Sequence, residues 1–594
     1  MSSIVSAFDK HLQPKQLGEK GHVEFSWSLE PDQLITQFFF QLVRTKDTSD
    51  LKKQLVYLLA HLRWTTNESQ LLILYKLIAQ TRDIVSGKGE CDLTWMQLEV
   101  WSQYYPELAY LAFVHCVDGS HDALNGHQYG SWKDIKYFLA YLKHNTEQGE
   151  AHPLIERILK DLVVPVLQKD EMLLTEGKPV SLVGRWIPRE KSSKKFNWIF
   201  KRLAPLMYPE FGRVPQGGWR NREQILKSVL KQKIHLKKLL VKLSGCEGGS
   251  DTPQVKMAGK EWSKINFNKV TSVTLKKQKV AILNKTKKGT QRSTEDDRVE
   301  CARNYKEHVE KALAGDKSAK VHGKRLDVGQ LAKDGFQYSP HGDDDETLRK
   351  TINLQWASQA ENNKGLENVP IVAMADTSGS MECDDGLPIN NSIGLSIRIS
   401  EICHPAFRNR VMTFDAIPQW IKFEEEEDFV AKAKKMKYAA WGMNTDFHLA
   451  IDKMIDVLVE QNIEPSAVRK LVLAVFSDMQ FDCAYHNGNI FDSAHEQIKQ
   501  KFHDAGMRTT WRRPYEAPHI LFWNLRKTTG FPATTFTKNI TFLSGYSSTL
   551  LNVFATKGID ALREVTPMTM LAELLNNPRY IAMTENVSDW VAMV

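Results

Sequence analysis

The sequence predicts a multidomain chain: an N-terminal all-α region of HEAT-like helical repeats, then a C-terminal α/β domain on a doubly wound sheet. Three observations lead there. At 594 residues the chain exceeds what one hydrophobic core can organise. From Pro31 to about Leu240, apolar residues recur at helical spacing between short joins. From Val369 the rhythm changes to strand-length apolar runs alternating with helices of about 10–15 residues, the pattern of parallel βαβ units.

In DLKKQLVYLLAHLRW, Leu51, Leu55, Leu58 and Leu62 share one helix face. ESQLLILYKLIAQTRDI, PELAYLAFVHCV and SWKDIKYFLAYLKH continue the helical pattern, with Ser131 and Asp134 spaced as a capping box. Helix following helix suggests stacked pairs, although no fixed repeat period is present. Residues 241–365 are more polar, with loops at CEGGSDTPQ and KKGTQRSTEDD and isolated helices at HVEKALAG and RKTINLQWASQAE. Beyond them VPIVAMA, RVMTFD, KLVLAVFSD, HILFWNL and ITFL read as strands, and NSIGLSIRISEIC, DFHLAIDKMIDVLVE and DSAHEQIKQKFHDA as helices. These elements divide the chain into a leading segment (1–30), a helical domain (31–345), a connecting helix (346–367) and the sheet domain (368–594).

Composition is that of a globular protein, 42% hydrophobic and 25% charged, and fifteen tryptophans argue for packed cores. No apolar run has membrane-spanning length, and the opening residues lack a basic then apolar leader. Seven cysteines, at 91, 116, 246, 301, 383, 403 and 483, form no CxxC pair, which points to a reduced, intracellular (cytoplasmic) protein. Net charge is +8, but residues 221–292 alone carry an excess of +14. Such a block attracts polyanions, or is simply a solvated lysine-rich stretch. The acidic run EEEED (424–428) reads as solvated surface.

The chemistry concentrates after the first strand of the sheet domain. Asp376, Ser378 and Ser380 form D-x-S-x-S there, Thr445 opens a later helix, and Asp478 ends the strand KLVLAVF. In a doubly wound sheet these residues fall on loops at one edge, where ligands bind. Two carboxylates and three hydroxyls make a hard, oxygen-only set suited to Mg²⁺ or Mn²⁺. With only two acids the ion keeps attraction to spare for an acidic group of a partner. Other chemistries fit less well. An aspartic protease needs a second D-T/S-G, a serine nucleophile needs a partnered histidine that His448 does not supply, and no P-loop is present. A two-metal phosphoesterase would have to draw extra acids from Asp384, Asp385 or Asp446.

This constellation resembles the metal-ion-dependent adhesion site (MIDAS) of von Willebrand factor A domains, whose five positions all have counterparts here. The resemblance implies a Rossmann-like sheet with one antiparallel edge strand. In the helical part, TRDIVSGKGE (81–90), YGSWKDIKYFL (129–139) and VGRWIPREKS (183–192) resemble the TROVE architecture of Ro ribonucleoprotein autoantigens. They look closer still to an uncharacterised family of plants, fungi, bacteria and large DNA viruses, which VKMAGKEWSKINFNKVTSVTLKKQKVAI (255–282) also matches. The Ro likeness implies a helical ring that binds RNA, with Arg82, Lys88, Lys133, Arg185, Arg189 and Lys191 as candidate phosphate contacts. Each block also has a structural reading: G-K-G as a cap with positive φ, W-K-D as a tryptophan beside a capping acid, P-R-E as a helix start.

The expected function is therefore a non-catalytic RNA-binding scaffold whose A domain binds Mg²⁺ or Mn²⁺ and docks an acidic protein group, with no membrane partner and no small-molecule cofactor. The alternative is a protein–protein adaptor that uses the metal site without RNA and, in a viral setting, travels with the virion. A Mg²⁺-dependent phosphoester enzyme stands third.

Overall fold

The computed structural model describes residues 14–65, 67–212, 222–246, 252–286, 289–338, 345–361, 363, 365–414, 417–439, 446–481, 493–555 and 559–593. A helical N-terminal region is joined to a C-terminal mixed α/β sheet domain. Thr445 and Cys483, singled out from the sequence, lie outside the described residues.

Two short strands, β1 (Lys15–Leu17) and β2 (Val23–Phe25), form an antiparallel hairpin. The main sheet holds β3 (Ile371–Asp376), β4 (Arg410–Phe414), β5 (Gln419–Lys422), β6 (Val472–Ser477), β7 (His519–Asn524) and β8 (Ile540–Ser544). Their order is β5-β4-β3-β6-β7-β8, parallel throughout except for β5, which runs antiparallel to β4. Composition explains the placement. IVAMAD, VLAVFS, HILFWN and ITFLS are buried at every position, as strands covered on both faces must be, whereas QWIK buries only Ile421 and sits at the edge.

Parallel strands need crossovers, which helices Cys383–Ile402, Phe447–Glu460 and Ala494–Arg508 supply. Phe447, Ile451, Ile455, Ile498 and Phe502 bury one side of the latter two helices with Val475, Phe522 and Phe542 of the sheet. Near the other crossover, Trp356 stacks on Phe429 at 3.7 Å, and the buried Arg398 guanidinium lies 3.7 Å from the Trp356 ring. The chain departs from β3 toward β4 on one side and, later, toward β6 on the other. That switch point leaves a crevice at the carboxyl ends of β3 and β6.

Two compact units divide the chain at points other than the boundaries drawn from sequence. One comprises 1–77, 86–88 and 266–577; the other comprises 78–85, 89–265 and 578–594. Apolar burial explains the first. Helix Pro31–Gln41 carries Phe38, Phe39 and Phe40, all fully buried, and packs against β8 and helix Pro567–Leu575. Burying each such ring is worth about 2–3 kcal/mol, a driving force that sequence separation does not weaken. In the second unit Trp95, Phe113 and Phe138 form a ring cluster with centroids 4.8–6.4 Å apart. The C-terminal helix Ile581–Met593 joins it, with Trp590 edge-on to Tyr105 at 5.1 Å.

Local expectations fare unevenly. Leu51, Leu55, Leu58 and Leu62 are all buried. The box at Ser131 is half formed: Asp134 accepts from the Ser131 amide at 3.1 Å, but the helix it opens has no side-chain cap. P-R-E starts no helix; the next begins at Asn197. Asp428 of the acidic run is not merely solvated, because it accepts a fork from Arg349 (2.7 and 2.9 Å) and a further bond from Asn353. Among the described residues no helix is long and apolar enough to cross a membrane.

Candidate functional site

Asp376 ends β3, and Asp478 follows directly after β6, its parallel neighbour in the sheet. Both carboxylates therefore stand at the same edge, in the crevice of the switch point, and both are fully buried. Asp376 Oδ1 accepts from the Ser378 amide (3.0 Å), and its Oδ2 accepts from the Ser477 hydroxyl (2.5 Å). Ser378 and Ser380 hydroxyls are 3.1 Å apart. Burial, and then the nearby Asp478 charge, push the Asp376 carboxyl up to about 7. Met479, buried and at φ 63°, takes a conformation rare outside glycine. The turn it makes lets Asp478 Oδ1 accept from the Gln480 amide at 3.1 Å.

Four of the five expected metal residues, Asp376, Ser378, Ser380 and Asp478, thus share one small region, while Thr445 is outside the described residues. Their donor set is hard oxygen throughout, which fits Mg²⁺ or Mn²⁺. Among the described residues no cluster of three or more acid, histidine or cysteine side chains joins them. The acids a two-metal mechanism would recruit are engaged elsewhere. Asp384 pairs with Lys46 at 3.1 Å, Asp385 pairs with Lys333, and Asp446 caps its own helix through the Leu449 amide. His448 is buried, with Nδ1 unpartnered, and burial depresses it to about 3.

Two neighbours escaped the sequence reading. Arg526, just past β7, donates from Nε to Asp478 Oδ2 at 2.9 Å and from Nη2 to Glu19 Oε2 at 2.6 Å. Cys383, half-buried, feels the Arg526 and Asp478 charges, and burial raises its thiol. Neither belongs to the D-x-S-x-S pattern: Cys383 follows it three residues after Ser380, and Arg526 is brought in only by the folding of β7 beside β6.

The candidate RNA residues separate into two groups. Arg82 and Lys88 are each 4% exposed, and both are held by groups of their own chain. Arg82 donates to Asp134 from Nε (2.8 Å) and from Nη2 (2.6 Å), joining the R-D and W-K-D blocks. Gly130 makes room for that pair: a Cβ there would lie 2.7 Å from Arg82 Nε. Asp83 accepts a fork from Arg579 at 2.9 and 3.0 Å. Lys88 Nζ donates to the Phe39 and Leu42 carbonyls (2.8 and 2.9 Å) and to Ser544 Oγ (2.6 Å), closing the end of helix Pro31–Gln41. Gly89 beside it has φ 73°, so the G-K-G block acts as a structural joint. Arg189 is likewise spent on the Leu240 carbonyl (2.9 Å) and Ser244.

Lys133, Arg185 and Lys191 keep solvent exposure, and the first two belong to a cation–aromatic cluster that the sequence did not reveal. Lys136 Nζ lies 4.8 Å from the Trp186 ring centre, 5.4 Å from Tyr137 and 5.7 Å from Phe196. Lys133 stands over Tyr137 at 5.0 Å, Arg185 over Trp186 at 5.5 Å and Lys195 over Phe196 at 5.5 Å. Burial and the Lys133 charge lower the Lys136 ammonium, and among the described residues no carboxylate lies within ion-pair distance of it. The three rings are only half-buried, each with a cation beside it.

Residues 370–578, which include Asp376, Asp478 and Arg526, match a family model described as a domain of unknown function, DUF7788. The uncharacterized protein L728 of Acanthamoeba polyphaga mimivirus is similar over 532 residues at 26% identity, covering 86% of this chain and 81% of that protein.

Proposed function

We propose that the chain is a non-catalytic RNA-binding scaffold of ribonucleoprotein type, TROVE-like in layout, with a von Willebrand factor A-like sheet domain that takes up Mg²⁺ or Mn²⁺ and docks an acidic group of a partner. The observation that carries the RNA half is the cluster of Lys133, Lys136, Arg185 and Lys195 around Tyr137, Trp186 and Phe196. Single-stranded nucleic acids bind where cations follow the backbone and aromatic faces stack on bases. The metal half rests on the buried oxygen set at the carboxyl ends of β3 and β6. There Asp376 and Asp478 would hold the ion and the two serines complete its shell, while the ion supplies an electrophilic point for a carboxylate. Arg82 and Lys88 are dropped from the RNA surface, since burial denies them a phosphate.

The test is fluorescence anisotropy with a labelled oligouridine at low and moderate salt. Trp186→Ala should weaken binding by about 1–3 kcal/mol, and Lys136→Ala should lower the salt slope by about 1. A wild-type protein that fails to bind at low salt removes the RNA reading.

The adaptor reading has an observation of its own. An apolar cleft of about 1070 Å³, lined by Phe407, Met412, Trp420, Met454, Val457 and Leu458 among others, opens at the amino ends of the central strands. Trp420 and Val457 are 49% and 57% exposed there, which suits a protein surface. Co-purification of a protein partner that survives nuclease treatment favours this reading.

A further inference from the structure

The metal reading of the β3–β6 edge leaves one cation unexplained, and the inference drawn from it rests on that reading. Arg526 reaches the edge from the loop after β7, where its backbone amide donates to Asn524 Oδ1 at 3.1 Å. Its guanidinium is 22% exposed and presents both Nε and Nη2 to the same oxygen of Asp478, each at 2.9 Å. Nη2 simultaneously donates to Glu19 Oε2 at 2.6 Å, and Nη1 approaches Glu19 Oε1 at 3.4 Å.

Glu19 is not placed by chance. It lies in the connection between β1 and β2, and its amide donates to Gln480 Oε1 at 2.7 Å, two residues past Asp478. Gln480 in turn donates to Glu24 Oε2 at 3.3 Å, and Phe25 pairs with Phe531 in an isolated antiparallel bridge. The hairpin is thereby fastened beside the site, with the Glu19 carboxylate on the Nη1–Nη2 edge of the guanidinium and Asp478 on its Nε–Nη2 edge.

We propose that Arg526, braced by Glu19, is a built-in competitor for the divalent cation: it occupies Asp478 while the metal is away and shifts onto Glu19 alone when the metal arrives. The physical basis is simple. A guanidinium on a fully buried carboxylate satisfies the charge a metal would otherwise satisfy, and a second positive group so close opposes a divalent ion in a site screened from water. Glu19, half-exposed, gives the displaced guanidinium a partner that needs no burial. Metal affinity is thus set by a residue that ligates nothing.

The experiment is calorimetric titration of Mn²⁺ into full-length wild type, Arg526→Met, Arg526→Lys and Asp376→Asn, with folding checked by circular dichroism. The competitor model expects Arg526→Met to bind Mn²⁺ at least about tenfold more tightly than wild type. Arg526→Lys, which keeps the charge but loses the fork, should fall between them. Should Arg526→Met fail to fold, the lysine variant decides: tighter than wild type supports the competitor, equal or weaker overturns it. If wild type and Arg526→Met bind equally and Asp376→Asn does not bind, the competitor is overturned and the metal site stands. If none of the four binds, the metal reading falls and takes the competitor with it.

Discussion

Replacing Asp376 with asparagine should stabilise the metal-free protein above neutrality, the reverse of the usual cost of altering a buried polar residue. Asp376 is fully buried beside Asp478, and its carboxyl is raised from 3.8 to about 7. Below about pH 4 the carboxyl is protonated in both folded and unfolded chains and contributes nothing to the difference. As pH rises toward 7 the unfolded chain releases this proton while the folded one retains it, so stability falls. Above about 7 the loss levels off at roughly 4 kcal/mol. Asparagine keeps an oxygen for the Ser378 amide and carries no charge, so Asp376→Asn should recover roughly 2–3 kcal/mol at pH 8 and nothing at pH 4. Urea unfolding of the two proteins, repeated at each pH, reads the difference. Saturating Mg²⁺ should then close the gap at pH 8. Wild type gains about 2.7 kcal/mol at a hundredfold excess over its dissociation constant, and the variant gains nothing. A difference between the two proteins that stays flat from pH 4 to 8, or an equal response of both to Mg²⁺, refutes the argument.

Arg82→Met leaves Asp134 buried and unpaired and should cost about 3–5 kcal/mol in the helical unit, measured by thermal unfolding, while oligouridine affinity of the folded protein stays unchanged. Lys88→Met removes three hydrogen bonds at the end of helix Pro31–Gln41, although the Phe39 carbonyl keeps the Ser544 hydroxyl, and should cost about 3 kcal/mol. Hydrogen exchange at the Leu42 and Val43 amides should rise with it, and protection equal to wild type there excludes the capping role.

The sequence alone determined the local chemistry of this protein. Helix and strand periodicities follow from which side chains must leave water, so the faces of Ser49–Thr65 and the mainly apolar, fully buried strands β3, β6, β7 and β8 were legible. The edge location of Asp376 and Asp478 followed too, because residues that end neighbouring parallel strands must share an edge. What depended on contacts far apart in the chain was decided by the tertiary structure. Arg526 meets Glu19 across 507 residues and Lys88 meets Ser544 across 456, separations at which no periodicity or motif carries information. The same holds for Trp186 and Phe196, which join Tyr137 around Lys136. Burial then changed the meaning of residues already noticed: Arg82 and Lys88 look like phosphate ligands in a string of letters, yet inside a core the cost of an unpaired charge binds them to their own chain.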